Sequence, residues 1–165
     1  MPLELIGDIP NSAVFREYQE LELKPDEVRL KSIFSSVKHG TELRAFRGDS
    51  ADAMEPWDGE YRLHRRQSGE ANHFPMRLGN MCLGEVLEAG SEVERLKIGD
   101  RLLGHFPVRE THTVVESRVR IAPEGVSPQA LMYWDPSDFA VGAVRMPRCA
   151  WGIEWRSLAL GRLGR

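Results

Sequence analysis

Residues 78 to 102 read LGNMCLGEVLEAGSEVERLKIGDRL, and this stretch decides the fold. It contains two apolar runs, separated by a charged loop that Gly90 begins and Gly99-Asp100 ends. Such a pattern predicts two β-strands, of which the first covers Cys82 to Ala89. Gly84 lies inside that strand, where a glycine weakens the strand and usually marks a bulge or a close approach of other backbone. We therefore expect Gly84 to face a tightly packed neighbour.

The composition is that of one soluble globular domain. The 165 residues include 22 basic and 25 acidic side chains, a net charge of −3, which gives no electrostatic case for a nucleic-acid partner. No apolar run approaches the roughly 20 residues that a membrane span needs, and the N-terminal segment lacks the features of a secretory signal. Cys82 and Cys149 are too few for a disulfide framework or a cysteine zinc site. These observations predict a cytoplasmic protein.

The first half of the chain contains one clear strand and two ambiguous segments. Val28 to Ser35 partly alternates apolar and polar residues after a turn at Lys24-Pro25, which predicts a strand. Residues 13–23 fit either an amphipathic helix or an irregular pair of strands. Residues 49–74 show no sustained period and are expected to form a long loop, which in a compact domain is usually functional or disordered.

The second half ends in two helices with strong start signals. Before them, residues 104–115 and 117–122 are interpreted as two strands separated by a turn. Ser127-Pro128 and Asp135-Pro136 then each place a capping side chain before a proline suited to the first helical position. The second helix is expected to reach about Met146, because the next residue is a proline.

The central stretch resembles the N-terminal, GroES-like domain of the medium-chain dehydrogenase/reductase superfamily, the zinc alcohol dehydrogenase type. That family reads G-H-E-x-x-G-x-V, then a G-x-x-V spacer, then G-D-R-V, and the spacing matches throughout. The matching residues are Gly79, Gly84, Val86, Gly90, Val93 and Gly99-Asp100-Arg101. Where the family has histidine and glutamate beside its metal, this chain has Asn80 and Met81. The resemblance covers roughly residues 13–164, which is the front half of a family member.

The resemblance also indicates a candidate catalytic segment at residues 38–43, KHGTEL. It corresponds to the family's C-G-[TS]-D motif, whose cysteine ligates zinc and whose hydroxyl starts a proton relay. His39 stands in place of the cysteine, Thr41 keeps the hydroxyl, and Glu42 replaces the aspartate. This G-T-E variant is similar to zinc-independent branches such as the bacteriochlorophyllide dehydrogenases. The resemblance therefore indicates these three residues as catalytic candidates, with Thr41 as the relay group and His39 as the acid or base. From the residues alone, the same segment is a short helix that Thr41 caps and Gly48 ends.

Zinc is not expected in this chain. By the resemblance, the family's three ligand positions fall on His39, Asn80 and Asp135. A neutral amide oxygen is a weak zinc donor compared with imidazole or thiolate, and Asp135 already has a sufficient structural explanation as a helix cap. His105 and His112 are interpreted as hydrogen-bonded packing residues rather than ligands. We therefore predict neither a catalytic nor a structural zinc ion.

The end of the chain resembles the start of a dinucleotide-binding domain. Ser157 to Gly164, SLALGRLG, is similar to a first Rossmann strand and its glycine-rich turn, in which Gly161 and Gly164 are the cofactor-binding candidates. The sequence stops one residue later, before a helix or an acidic residue that would hold a ribose. We expect a truncated family member, for which NAD(P) is the cofactor of full-length relatives and the unpaired C-terminal strand favours self-association.

Together these interpretations predict a mainly β fold with short helices, a GroES-like, partly open β-barrel whose C-terminal helix leads towards a missing Rossmann domain. Residues 1–150 are assigned to this substrate-side domain and residues 151–165 to the Rossmann remnant. The predicted function is that of the substrate-side domain of an NAD(P)-dependent oxidoreductase for a small-molecule substrate, inactive alone. The alternative is a non-catalytic GroES-like binding or interaction module.

Overall fold

The structure, a computed structural model, describes residues 1–49, 57–64 and 74–145. Its strands are β1 Leu3–Ile9, β2 Ser12–Glu17, β3 Glu27–Ser36, β4 Trp57–Asp58, β5 Leu63–His64, β6 Met76–Arg77, β7 Met81–Ala89, β8 Arg101–Gly104, β9 Thr111–Val115 and β10 Arg120–Ile121. Its helices are α1 His39–Arg47, α2 Pro128–Leu131 and α3 Trp134–Arg145, with a 3-10 turn at Glu116–Arg118. The predicted Rossmann remnant at residues 151–165 lies outside the described residues.

The largest sheet is built around the two strands that the central stretch predicts. Its order is β10-β8-β7-β3-β9, and every neighbouring pair is antiparallel. β7 and β8 pair with each other, and the predicted strand β3 lies on the other side of β7. The mainly β fold with short helices is therefore confirmed, and within the described residues the strands do not close into a barrel.

Gly84 lies at a tight contact within this sheet. It is opposite Ser32 of β3, beside an irregularity in the register of the two strands. A Cβ atom at this position would lie 3.0 Å from the carbonyl oxygen of Lys31 and 3.2 Å from the Cβ of Leu30. The expected close approach of other backbone at Gly84 is confirmed.

The core lies on both faces of the large sheet. Because successive residues of a strand point to opposite faces, the neighbours Leu102 and Leu103 of β8 belong to two different clusters. The first cluster contains Val28, Leu30, Val86, Leu96, Leu102 and Val119, and the second contains Met81, Leu83, Leu103, Ala122, Leu131 and Met132. Met81, which stands where the family has a glutamate, is thus a core residue.

A second sheet, of order β2-β1-β6, contains a buried carboxylate that the sequence did not indicate. Glu4 of β1 is 2% exposed, and its Oε1 accepts hydrogen bonds from Arg16 Nη2 at 2.7 Å and Nε at 3.2 Å. Arg77 Nε lies 3.3 Å from Oε2 as an ion pair. Burial raises the pKa of Glu4, but the hydrogen bond from Arg16 and the charges of Arg77, Arg16 and Arg109 outweigh burial and lower it below its ordinary value.

Four expectations about strands need adjustment, among them residues 117–122, of which only Arg120–Ile121 form a strand while the 3-10 turn Glu116–Arg118 covers their start. The ambiguous residues 13–23 begin as a strand, since β2 extends to Glu17. Part of the predicted long loop, residues 57–64, contains the antiparallel pair β4 and β5, while most of its other residues lie outside the described ones. In the predicted strand 104–115, only Thr111–Val115 continues as a strand after Gly104 ends β8.

The first helix, α1, ends as predicted but begins elsewhere. Gly48 ends it in a left-handed conformation, with φ of 77°. The helix begins at His39, and Lys38 is its N-cap residue, without a capping side chain. The predicted cap at Thr41 is wrong, because that residue lies inside the first turn.

The two later helices differ in how they begin. Ser127 caps α2 as predicted, since its Oγ accepts a hydrogen bond from the backbone N–H of Ala130 at 3.2 Å. The predicted cap at Asp135 is wrong, because α3 begins at Trp134 and Asp135 lies in its first turn. The described part of α3 reaches Arg145, and the expected end near Met146 lies outside the described residues. Within the described residues, no helix has the length and apolar character needed to cross a membrane.

Candidate active site

A polar cluster lies where the start of α1, the residue before β7 and the first turn of α3 meet. Its centre is Asp135, whose Oδ2 accepts hydrogen bonds from Lys38 Nζ, as a close ion pair, and from Asn80 Nδ2 at 3.2 Å. His105 Nε2 lies 3.9 Å from the other carboxylate oxygen, Oδ1. Side chains from three distant parts of the sequence therefore converge on one carboxylate.

The charges of this cluster are matched and partly shielded from solvent. The side chains of Lys38 and Asp135 are 34% and 22% exposed. The hydrogen bond from Lys38 is the main cause that lowers the pKa of Asp135; the charge of Lys38, the amide of Asn80 and His105 add to it, and together they outweigh burial. Asp135 is therefore a carboxylate at neutral pH, held by an ammonium group.

Glu42, one of the predicted catalytic residues, ties the cluster together through the backbone. Its Oε1 accepts a hydrogen bond from the N–H of Gly79 at 2.6 Å, and its Oε2 accepts a short one from the N–H of Lys38. These two bonds fix the backbone next to Asn80 and at Lys38. The geometry thus makes Glu42 a residue that positions Lys38 and Asn80.

The other two predicted catalytic residues lie on the outer side of α1. His39 and Thr41 are both exposed, and the hydroxyl of Thr41 donates to the backbone oxygen of Lys38 at 3.4 Å. Among the described residues, neither side chain hydrogen-bonds to Asp135 or Asn80. The predicted catalytic set is therefore split, with Glu42 turned inward and the other two facing outward.

A cleft of about 790 Å³ opens beside Asp135. Its wall includes Asp135 and His105 together with the apolar side chains of Met81, Phe106 and Trp134. The guanidinium of Arg120, another wall residue, lies 5.5 Å from the ring centre of Trp134. A volume of this size suits a small organic molecule, because ligand pockets usually measure roughly 300–1,000 Å³. The wall mixes these apolar side chains with a similar number of polar and charged ones, Glu27, Arg118 and Asp138 among them.

The two histidines predicted to pack near these strands have different environments. For His105 the expectation is wrong, because its side chain is 62% exposed and lines the cleft. His112 of β9 is a packing residue, 4% exposed and stacked on Phe106 with the ring centres 4.7 Å apart. Its Nε2 has no hydrogen-bond partner among the described residues, so the expected hydrogen bond at that atom is not found. Burial, with a contribution from the charge of Arg109, lowers the pKa of His112 to about 4.

The donor set at the family's metal position does not fit a catalytic zinc ion, which needs three protein ligands and an open position. Asp135 is already engaged by the ammonium of Lys38, and Asn80 donates its amide to the same carboxylate. His39 is exposed at the first residue of α1. Within residues 1–49, 57–64 and 74–145, no three or more His, Cys, Asp or Glu side chains are grouped so that they could hold a metal ion.

Two members of the cluster, Lys38 and His105, were neither predicted catalytic residues nor positions of the family's metal ligands. Lys38 is the first residue of the candidate segment 38–43 and directly precedes the motif HGTE, and that position is the signal that could have found it. His105 follows Gly104 at the end of β8, where a strand end often presents side chains to a site. The predicted cofactor-binding residues, Gly161 and Gly164, lie outside the described residues.

The two curated proteins that the sequence matches carry the same name. The chain is 30% identical to D-guloside 3-dehydrogenase of Escherichia coli (strain K12), across 98% of this chain and 48% of that protein. It is 29% identical to the Shigella flexneri protein of the same name, over the same shares. No protein-family profile matches the sequence. The chain thus spans about half the length of the curated relatives it matches.

Solved structures show the same fold. 2R,3R-butanediol dehydrogenase from Bacillus subtilis matches with a TM-score of 0.64 at 20% identity, over 88% of this chain and 47% of that one. The Escherichia coli quinone oxidoreductase complexed with NADPH matches with a TM-score of 0.59 at 14% identity, over 88% and 41%. At these identities the likeness establishes the fold alone.

The fold is that of the GroES-like domain of the solved structures it matches, and in sequence the chain is similar to a dehydrogenase over about half of that protein's length. The predicted resemblance to the medium-chain dehydrogenase/reductase superfamily is confirmed, over about half the length of its members.

Proposed function

We propose that the chain supplies the substrate side of an NAD(P)-dependent dehydrogenase that acts, without zinc, on a hydroxyl group of a sugar derivative. The observation that carries this proposal is the Asp135 cluster in the wall of a cleft of about 790 Å³. Carboxylate, amide and imidazole groups hold hydroxylated molecules through directional hydrogen bonds. The name of the relative, D-guloside 3-dehydrogenase, supports a sugar-derived substrate.

The proposed roles follow from the positions of the side chains. Asp135 accepts a hydrogen bond from the substrate hydroxyl and orients it, while Lys38 keeps the carboxylate in place. His105, exposed on the cleft wall 3.9 Å from Asp135, is placed to take the hydroxyl proton. His39 and Thr41 remain the candidates for a proton relay that the family motif indicates.

Nicotinamide cofactor use rests on the relatives. NAD(P), when bound, supplies the acceptor for the hydride that leaves the substrate carbon. The quinone oxidoreductase of the same fold is complexed with NADPH, which supports this choice. Gly161 and Gly164 remain the proposed phosphate-binding residues, and a cytoplasmic location completes the proposal.

Ligand binding by this chain tests the substrate-side role directly. Calorimetric titration with a panel of methyl glycosides and polyols should find at least one that binds. Asp135→Asn should weaken that binding about tenfold, because bonds to a charged partner contribute more than neutral ones. Asp26→Asn, which changes an exposed turn residue in the same way, is the matched control and should leave binding unchanged.

Two results would decide against this role. One is that no hydroxylated ligand binds, and the other is that Asp135→Asn binds as well as the original chain. A thermal-shift titration with NADPH and NADH then examines the alternative of a non-catalytic interaction module, because a bound ligand raises apparent stability by mass action. If neither glycosides nor nucleotides stabilise the chain, the module is favoured.

A further inference from the structure

We propose that the ammonium of Lys38 replaces the catalytic metal ion of this fold, occupying the carboxylate of Asp135 and closing the site to divalent cations. The ion pair also presents the cleft with a charged group for a substrate hydroxyl, and only this last part rests on the proposed function. No residue of the predicted site carries this role, because Lys38 lies just outside the motif that the resemblance indicates.

The first observation is the use of the carboxylate. Oδ2 of Asp135 accepts from both Lys38 Nζ and Asn80 Nδ2, and Oδ1 has His105 Nε2 at 3.9 Å. A divalent cation would have to displace the ammonium or lie within a few ångströms of it. Two positive charges so close repel each other strongly outside bulk water. The ammonium of Lys38 therefore occupies the place at the Asp135 carboxylate that a metal ion would need.

The second observation is that Lys38 is held in place from its backbone. Glu42 accepts a hydrogen bond from the N–H of Lys38 and another from the N–H of Gly79, so the backbones on both sides of the cluster are tied to one carboxylate. The side chain of Lys38 is 34% exposed, against 74% for that of Lys24. The backbone bond and the ion pair with Asp135 together hold the ammonium at the site.

The third observation concerns the neighbours that a metal would use. Asn80 offers an amide where a strong donor is needed, and its nitrogen already points to Asp135. Removal of the Lys38 ammonium would leave Asp135, His105 and Asn80 together without a cation. That set contains an imidazole and a carboxylate, both common zinc donors.

The test is zinc binding by the 165-residue chain, measured by calorimetry after treatment with a chelator. We expect the original chain to bind zinc weakly, and equally weakly when an exposed lysine of β3 is changed in the control Lys31→Gln. Lys38→Ala should bind zinc at least about tenfold more tightly, because Asp135 is released. Adding Asp135→Asn to Lys38→Ala should abolish that gain, which separates this site from zinc on surface histidines.

Each outcome bears on the proposal. An original chain that retains about one zinc ion through dialysis would overturn it, as would a Lys38→Ala chain that gains no affinity over Lys31→Gln. If circular dichroism shows that Lys38→Ala is unfolded, Lys38→Gln keeps the side-chain stem without the charge and is used instead. Zinc affinity needs neither glycoside nor nucleotide, so a failure of the proposed function and a failure of this inference are observed separately.

Discussion

Acidification should destabilise this chain through one buried histidine, His112. It lies in β9 opposite Leu30, stacked on Phe106, and is 4% exposed. Burial and the nearby charge of Arg109 lower its pKa from 6.5 to about 4. The folded state therefore binds this proton less readily than the unfolded state, so the free energy of unfolding falls as the pH drops from 6.5 towards 4.

The size of the effect follows from the two pKa values. With 6.5 in the unfolded chain and about 4 in the folded chain, the full difference is worth at most about 3 kcal/mol. Between about pH 7 and about pH 5 the same relation gives a loss of about 2 kcal/mol. This interval lies above the ordinary range of carboxyl groups, and Glu4, whose pKa is lowered, loses its stabilising contribution only at more acidic pH.

Urea denaturation at the two pH values measures this loss, since the free energy of unfolding extrapolates linearly to water. In His112→Leu, which cannot titrate, the difference between the two pH values should shrink by about 2 kcal/mol. His39→Gln, which removes an exposed histidine of α1, is the matched control and should keep the original difference. An unchanged difference in His112→Leu would refute the assignment of the pH dependence to this side chain.

Three further predictions concern other parts of the chain. Gly84→Val should lower the free energy of unfolding by about 2 kcal/mol or more, because its Cβ would lie 3.0 Å from the carbonyl oxygen of Lys31. Gly142→Ala is the control and should not destabilise the chain, because a Cβ at Gly142 meets nothing within 4 Å. An unchanged denaturation midpoint in Gly84→Val would show that the glycine is incidental. Glu4→Gln should cost about 2 kcal/mol in the same assay, less than a fully buried pair would, since its arginine partners are partly exposed. Purified protein should carry no stoichiometric zinc by elemental analysis, because Asn80 is a poor ligand, and about one tightly held ion per chain would contradict this.

The sequence was sufficient where the cause of a structure is local. The turn at Gly99-Asp100, the strand β7 and the end of α1 at Gly48 each depend on residues a few positions apart. The cap at Ser127 is of the same kind. A pattern in one short window therefore predicts such features, and these predictions are confirmed.

The contacts that build the site and the buried charge are not local. Lys38 and Asp135 are 97 positions apart in the sequence. Glu4 receives Arg16 and Arg77 from the two strands that flank β1, and the charge of Arg109 acts on it from a distant part of the sequence. Which charges meet is decided by the order of the strands, and no spacing within one segment carries that information. The buried carboxylate and the Lys38 pair were therefore missed.

The two wrong capping predictions follow from competition between local and distant partners. At α1, the carboxylate of Glu42 accepts a hydrogen bond from the N–H of Lys38, and the helix begins at His39. Thr41 therefore lies inside the helix, where its hydroxyl cannot act as an N-cap. At α3, the carboxylate of Asp135 could accept from the helix's own N–H groups, but the ammonium of Lys38 adds the attraction of a full opposite charge. Asp135 turns to Lys38, and α3 extends back to Trp134. The preference of the Asp135 carboxylate for an ammonium group therefore explains two features. It prevents Asp135 from capping α3, and it places the ammonium of Lys38 where the family has its metal ion.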